Sequence, residues 1–250
     1  MASEIGPQRP KYQRIADALR EAITAGQYAP GDRLPGESAL AEQYGVAPLT
    51  ARQALKVLRV EGLVETKKGA GARVVSFHPI RRRGIQRLAR DQWAAGKSIW
   101  SADEERPVTI DVRVETVPAP THIARILELS DGDAVCSRSR RFVLDDRSVM
   151  LANSYLPLEL VDGTAITRVD TGEGGIYARL SEIGHSPVHF REEIRCRFPS
   201  SAEAQQLELP TERPVIKLFR TAYDADGRVV EVNEMTMDSA SYVLEYEFDA

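Results

Sequence analysis

Apolar residues recur at two different periods along this chain, and the change from one to the other divides it. Up to about residue 62 the spacing is helical. Tyr12, Ile15, Leu19 and Ile23 make one stripe, Leu40, Ala41 and Tyr44 a second, and Ala51, Ala54, Leu55 and Leu58 a third. Leu34-Pro35-Gly36 stops the segment before the second stripe, and Glu37 falls in the first turn of the next helix, where a carboxylate suits the helix dipole. Gly45 ends that helix, and Pro48 fits the first position of the following one, where its missing N–H costs nothing. The third helix is predicted from about Leu49 to Glu61. Beyond it, Leu63-Val64-Glu65-Thr66 and Ala72-Arg73-Val74-Val75 are strand-like runs flanking Lys67-Lys68-Gly69-Ala70-Gly71, the pattern of a hairpin.

From Pro107 the period becomes that of strands. Val108 to Val117 alternates, Pro118-Ala119-Pro120 breaks it, and Ile123, Ile126 and Leu127 suggest a short helix. Val135 to Leu144 and a second strand through Tyr155 are joined by Asp145-Asp146. Gly175 to Ile183 reads as helix, Val188 to Phe198 as a long strand, and Ser200-x-x-Glu203 as a capping box. Val215 to Tyr223, the turn Asp224 to Gly227, Arg228 to Met237 and Tyr242 to Phe248 are expected to complete an antiparallel sheet with its helices on one face, an α+β architecture. The boundaries predicted are 8–76 for a first domain, 77–106 for a linker and 107–250 for a second domain. In the linker, Arg81-Arg82-Arg83 opens a stretch with Ile85, Leu88, Ala89 and Trp93 at helical spacing. The triplet reads equally as an extension of phosphate contacts or as a solvated connection.

The first half has the arrangement of a winged helix-turn-helix. Thr50, Arg52, Gln53 and Lys56 are left to face outward on the third helix, as on a recognition helix whose N-terminal part meets base edges in the major groove. The hairpin tip offers ammonium groups and bare backbone N–H groups to phosphates or the minor groove. An ordinary helical bundle with a charged face is the bland alternative. The charge distribution favours DNA. Residues 1–97 carry 17 Lys and Arg against 9 Asp and Glu, a balance of +8, while the remainder carries 16 against 28, a balance of −12. Positive charge thus gathers where DNA would lie.

The residues of Tyr12 to Val74 resemble the DNA-binding domain of the GntR family of bacterial transcription regulators. The likeness rests on the first stripe, Gly31-Asp32-Arg33-Leu34-Pro35, Leu40-Ala41, Thr50-x-Arg52-Gln53-Ala54-Leu55 and Glu61-Gly62-Leu63. It implies DNA contacts from Arg33, Ser38, Pro48, Leu49, Thr50, Arg52, Gln53, Lys67, Lys68, Gly69 and Gly71. The family commonly has arginine or another polar residue where Ser38 stands and Ser-Arg where Ala47-Pro48 stand, so a shifted operator preference is expected.

From about Val108 onward the chain is similar to the UTRA effector-binding domain of the HutC subfamily, which shares the chorismate lyase fold. Arg140-Arg141 with Leu144-Asp145, Tyr155-Leu156-Pro157, Ile176-Tyr177, Glu192 to Arg197, and Tyr223-Asp224-x-Asp226-Gly227 with Val230-Glu231 carry that likeness. It implies a homodimer whose hold on a palindromic double-stranded operator is changed by a small, often acidic or phosphorylated metabolite. Arg140 is the candidate anion clamp, because a guanidinium can grip a carboxylate or phosphate in a fork. Tyr177 is expected to donate to the same ligand, Glu231 to accept from hydroxyl or amine groups, and Ser98, Trp100 and Ser101 to add contacts or a stacking wall. Phe142, Ala152 and Met237 stand where relatives that bind amino-sugar phosphates have arginine, glutamate and tyrosine. A greasier pocket for a larger or more apolar acid is expected from them.

Other chemistry finds little support. No nucleophile elbow, phosphate loop or acid/base cluster is present, so no enzymatic activity and no cofactor are expected. His185 and His189 lack a third ligand at diagnostic spacing. Cys136 and Cys196 are expected to be buried, reduced thiols. Without a signal-like N-terminus or a membrane-length apolar run, a cytoplasmic protein is expected. A constitutive DNA-binding repressor with no effector, and a lyase-like enzyme, remain the alternatives.

Overall fold

In the computed structural model the described residues are 9–67, 71–76, 79–84, 88–89, 107–130 and 132–248. Two compact units divide between His78 and Pro79. The first holds α1 (Lys11–Thr24), α2 (Glu37–Tyr44), α3 (Pro48–Val60) and a hairpin of β1 (Val64–Lys67) and β2 (Gly71–Val74). Gly45 closes α2 in the left-handed conformation, and Pro48 sits at the start of α3. Ile15, Ala16, Leu19, Leu34, Leu40, Ala51, Ala54, Leu58, Val64 and Val74 meet in one core, so the three predicted stripes and the hairpin seal against one another. Tyr44, expected in that core, is 36% exposed.

The second unit is a six-stranded antiparallel sheet built from β4 (Val108–Pro118), β5 (Ala134–Leu144), β6 (Arg147–Pro157), β7 (His189–Arg197), β8 (Val215–Tyr223) and β9 (Val229–Asp238), in the order β4-β5-β6-β9-β8-β7. Asp145 and Asp146 join β5 to β6 with positive φ at both positions, the two-residue turn whose twist matches the strands. Helix α4 (Thr121–Ile126) places Ile123 on Val135, Tyr155 and Val232, whereas Ile176, Tyr177 and Leu180 of α6 (Gly175–Glu182) cover Cys136, Leu156 and Ala222 on the other side. Helix α5 (Leu158–Val161) lies between these two helices in the chain. The sheet is therefore covered on both faces, not on one as the periodicity suggested. Ser200 opens α7 (Ser201–Gln206) with both hydrogen bonds of its capping box in place.

The last strand departs from expectation. β10 (Tyr242–Glu245) does not join the large sheet but pairs in parallel with β3 (Ile80–Arg83), Ile80 opposite Tyr242 and Arg83 opposite Glu245. A strand thus stands inside the stretch expected to be linker. Neither reading of the arginine triplet describes Arg82, which is fully buried and ion-paired to Glu192. The thiols also differ: Cys136 is buried, but Cys196 on edge strand β7 is exposed, and both are free.

Candidate DNA interface and effector cavity

In the first unit α3 buries Ala51, Ala54 and Leu58 and turns Leu49, Arg52, Gln53 and Lys56 outward, with Thr50 half-buried at its first turn. Ala47 supplies no side-chain cap, so the α3 N-terminus keeps amides that a phosphate can use. Leu49 is 62% exposed. Arg52 is not idle: its Nε and Nη2 each lie 2.9 Å from Oε2 of Glu37, at the start of α2. That pair holds the guanidinium beside the face it would present to bases. Ser38 and Pro48 are exposed on the same two helix starts.

The hairpin is braced from below. Arg33 and Arg73 form an isolated bridge, and Arg73 Nη1 donates to the Gly31 carbonyl at 3.0 Å. The exposed Arg33 side chain lies over Gly71, where φ is +75° and an added Cβ would come within 3.2 Å of Arg33 Nε. Gly71 is thus favoured by its left-handed backbone conformation, while a larger residue would also displace the Arg33 side chain slightly. Lys68 and Gly69 lie outside the described residues, and of Lys67 the backbone alone is described, paired with Gly71.

The second unit contains a cavity of about 400 Å³. Arg138, Arg140, Tyr177, Glu231 and Asn233 line it together with the glycine-rich segment Val169 to Gly175. Alternation explains the gathering: Arg138 and Arg140 share one face of β5, and the register carries Arg138 to Ser154, Ser154 to Asn233, Asn233 to Arg220 and Arg220 to Glu192. A polar row therefore crosses five strands beneath the cavity.

Within it, Arg140 donates to Ser154 Oγ at 2.5 Å, while its Nε finds no partner among the described residues. Burial lowers its pKa to about 10, with the Glu231 carboxylate acting in the opposite direction. Arg138 is occupied differently, donating to the carbonyls of Ile166, Arg168 and Val169 and so fastening the segment that walls the cavity. The Tyr177 hydroxyl donates to Glu231 Oε2 at 2.7 Å and accepts from Arg220 Nη1 at 3.4 Å. Burial, then the neighbouring carboxylate, pushes this phenol above its usual range. Tyr177 thus turns its hydrogen to Glu231, where the sequence suggested a donor to ligand.

Three further expectations change. Phe142 and Met237 are buried but do not line this cavity, and Ala152 lines a neighbouring one of about 620 Å³ to which Arg140 also contributes. Charged and polar side chains outnumber apolar ones along the lining, although more of its exposed surface is apolar. His185 lies before β7 and pairs with Asp224 at 2.8 Å, while His189 packs on the Tyr223 ring; among the described residues no cluster of three metal-binding side chains occurs. Ser98, Trp100 and Ser101 lie outside the described residues. Arg138, Ser154, Asn233 and Arg220 escaped notice, because their convergence depends on strand register; the one signal was that Arg138 stands two positions from Arg140 on a strand.

Comparison with known proteins assigns each unit to a family. Residues 11–74 match the model of the bacterial regulatory proteins of the gntR family, and residues 103–242 match the UTRA domain. An HTH-type transcriptional regulator of Streptomyces coelicolor is 32% identical over 98% of this chain and 94% of its own length. The mannosyl-D-glycerate transport/metabolism system repressor MngR of Escherichia coli is 26% identical over 94% of each chain. The crystal structure of PhnF from Mycobacterium smegmatis shares the fold with a TM-score of 0.59, at 24% identity over 94% of this chain and 99% of that one. No helix among the described residues is long and apolar enough to cross a membrane. The chain belongs to the GntR family of transcriptional regulators, with a DNA-binding unit followed by a UTRA effector domain, and its family is one of regulators rather than enzymes.

Proposed function

We propose that this regulator is a cytoplasmic homodimeric repressor which binds a palindromic operator and loosens its grip when a small acid occupies the cavity of the second unit. Arg140 carries the reading. A half-buried guanidinium whose Nε is shut off from solvent with no partner among the described residues is costly unless an anion completes it. The lining adds Glu231, Asp170 and Glu173 as carboxylates, and Asn233 has a buried Oδ1 without a partner among the described residues. The fitting ligand is a small carboxylate or phosphate that also bears hydroxyl or amino donors. MngR bears the name of a repressor, which favours repression over activation here.

Thr50, Arg52 and Gln53 read bases from α3, helped by Ser38, Pro48 and Leu49 at the helix starts. Arg33, Lys67, Lys68, Gly69 and Gly71 hold the sugar-phosphate backbone and minor groove. Two recognition helices related by a dyad require a palindromic site. Release needs a coupling free energy of only about 1–3 kcal/mol. In vitro selection from random duplex, followed by titration of the winner against a panel of small hydroxy, amino and phosphorylated acids, tests this. A palindromic winner released by at least one acid is expected. A palindrome that no acid releases would identify a constitutive repressor, and no enrichment would refute the DNA assignment.

A further inference from the structure

Behind the cavity, five polar side chains of the second unit stand in line. Glu231 accepts from Tyr177 at 2.7 Å, and Tyr177 accepts from Arg220 at 3.4 Å. Arg220 Nε donates to Glu192 Oε1 at 3.0 Å, and the same oxygen receives Arg82 Nη2 at 2.5 Å, with Arg82 Nη1 on Oε2 at 3.2 Å. Arg82 and Arg220 are both fully buried. One carboxylate therefore neutralises two buried guanidiniums, and Tyr246 donates to its other oxygen at 2.9 Å. Arg220 Nη2 has no hydrogen-bond partner among the described residues.

This line ends at a place with leverage. Arg82 belongs to β3, which begins two residues after His78, the last residue of the DNA-binding unit. β3 is gripped by β10 in parallel, its Ile80 amide bonded to the Ser241 carbonyl at 2.9 Å. Gly84 lies so close to the Tyr246 ring that an added Cβ would sit 2.4 Å from a ring carbon. A ligand acceptor that competes for the Tyr177 hydrogen, or a ligand donor that takes Glu231, changes what Arg220 is bonded to. Because Glu192 is shared, Arg82 must then answer.

We propose that Arg220 and Glu192 are positioning residues of the cavity that couple its state to Arg82, and hence to the strand by which the chain leaves the DNA-binding unit. The inference rests on reading the cavity as the effector site.

Amide hydrogen exchange of the full chain tests it without a ligand, using Tyr177→Phe to remove the hydroxyl that Arg220 and Glu231 share. Exchange across Ile80–Arg83 should quicken about threefold to tenfold in Tyr177→Phe, while amides of β5 stay unchanged, and should quicken no further when the substitution is added to Glu192→Gln. If Glu192→Gln does not fold, Arg82→Lys, which keeps the charge but loses the fork, takes its place in the cycle. An unmoved strand, effects that multiply independently, or loosening spread over the whole sheet overturns the coupling and leaves the effector reading intact. Affinity for the selected duplex is read on the same proteins. Coupled exchange with unmoved duplex affinity upholds the coupling and counts against the effector reading.

Discussion

The two units use charge in opposite ways. In the DNA-binding unit Arg52 stands 66% exposed beside a partly exposed Glu37, a pair that water screens and a phosphate or base can readily replace. In the effector unit Arg82 and Arg220 are fully buried and Arg140 is half-buried, and their partners come from the folded unit itself. The surface pair adds little to stability and leaves the recognition helix free to exchange partners. The buried row holds its donors in place before any ligand arrives. A site for a long polyanion tolerates mobile side chains, whereas a site that must tell one small acid from another needs its donors fixed.

That contrast breaks first if the two arginine partners prove equally dispensable. Removing Glu192 as Glu192→Ala strands two buried guanidiniums and should lower unfolding stability by about 3–5 kcal/mol in urea titration, whereas Glu37→Ala should cost less than about 1. The buried case also has a pH signature. Burial alone would raise the Glu192 carboxyl, but Arg82 and Arg220 bring it down to about 2 in the folded protein, against an ordinary 4.5. A depressed folded value means its stabilisation is complete above about pH 4.5 and is lost as pH falls toward 2. Urea midpoints measured from pH 6 to 2 should therefore fall more steeply for the wild type than for Glu192→Gln.

Smaller effects sharpen the comparison at the exposed site. Arg52→Ala should forfeit about 1–3 kcal/mol of discrimination between the selected duplex and its base-substituted versions, with the protein's own stability moving by less than about 0.5 kcal/mol. Lys67→Ala should weaken binding to every sequence alike and reduce the salt slope by about one. Equal behaviour of the two on specific and random DNA would erase the division between base reading and backbone holding. At the lower end, Ser200→Ala removes the α7 cap and should cost about 1 kcal/mol in thermal unfolding without touching DNA affinity.

The same contrast explains what could be read from the chain. Local spacing encodes a helix start, a hairpin tip and an outward-facing Arg52, so the DNA-binding unit was legible almost element by element, Tyr44 excepted. Arg140, Tyr177 and Glu231 were expected from family likeness to share a ligand, and they line one cavity. Their neighbours Arg138, Asn233, Arg220 and Glu192 were not picked out as site residues, because their line-up depends on strand register and on the β6–β9 pairing, which joins segments distant in sequence. For the same reason Arg82 resembled a linker charge: nothing near it in sequence reveals that Tyr242–Glu245 would pair with its strand. Phe142 and Met237 fill core, whereas Ala152 lines a cavity with Arg140, a difference that family position alone does not reveal.

The most direct test of the central claim compares wild type with Arg140→Met for affinity to the selected duplex, with and without the acid that releases the wild type. The account predicts equal affinities without the acid, and with it a loss of about tenfold in the wild type alone. Release of both proteins to the same extent would contradict it.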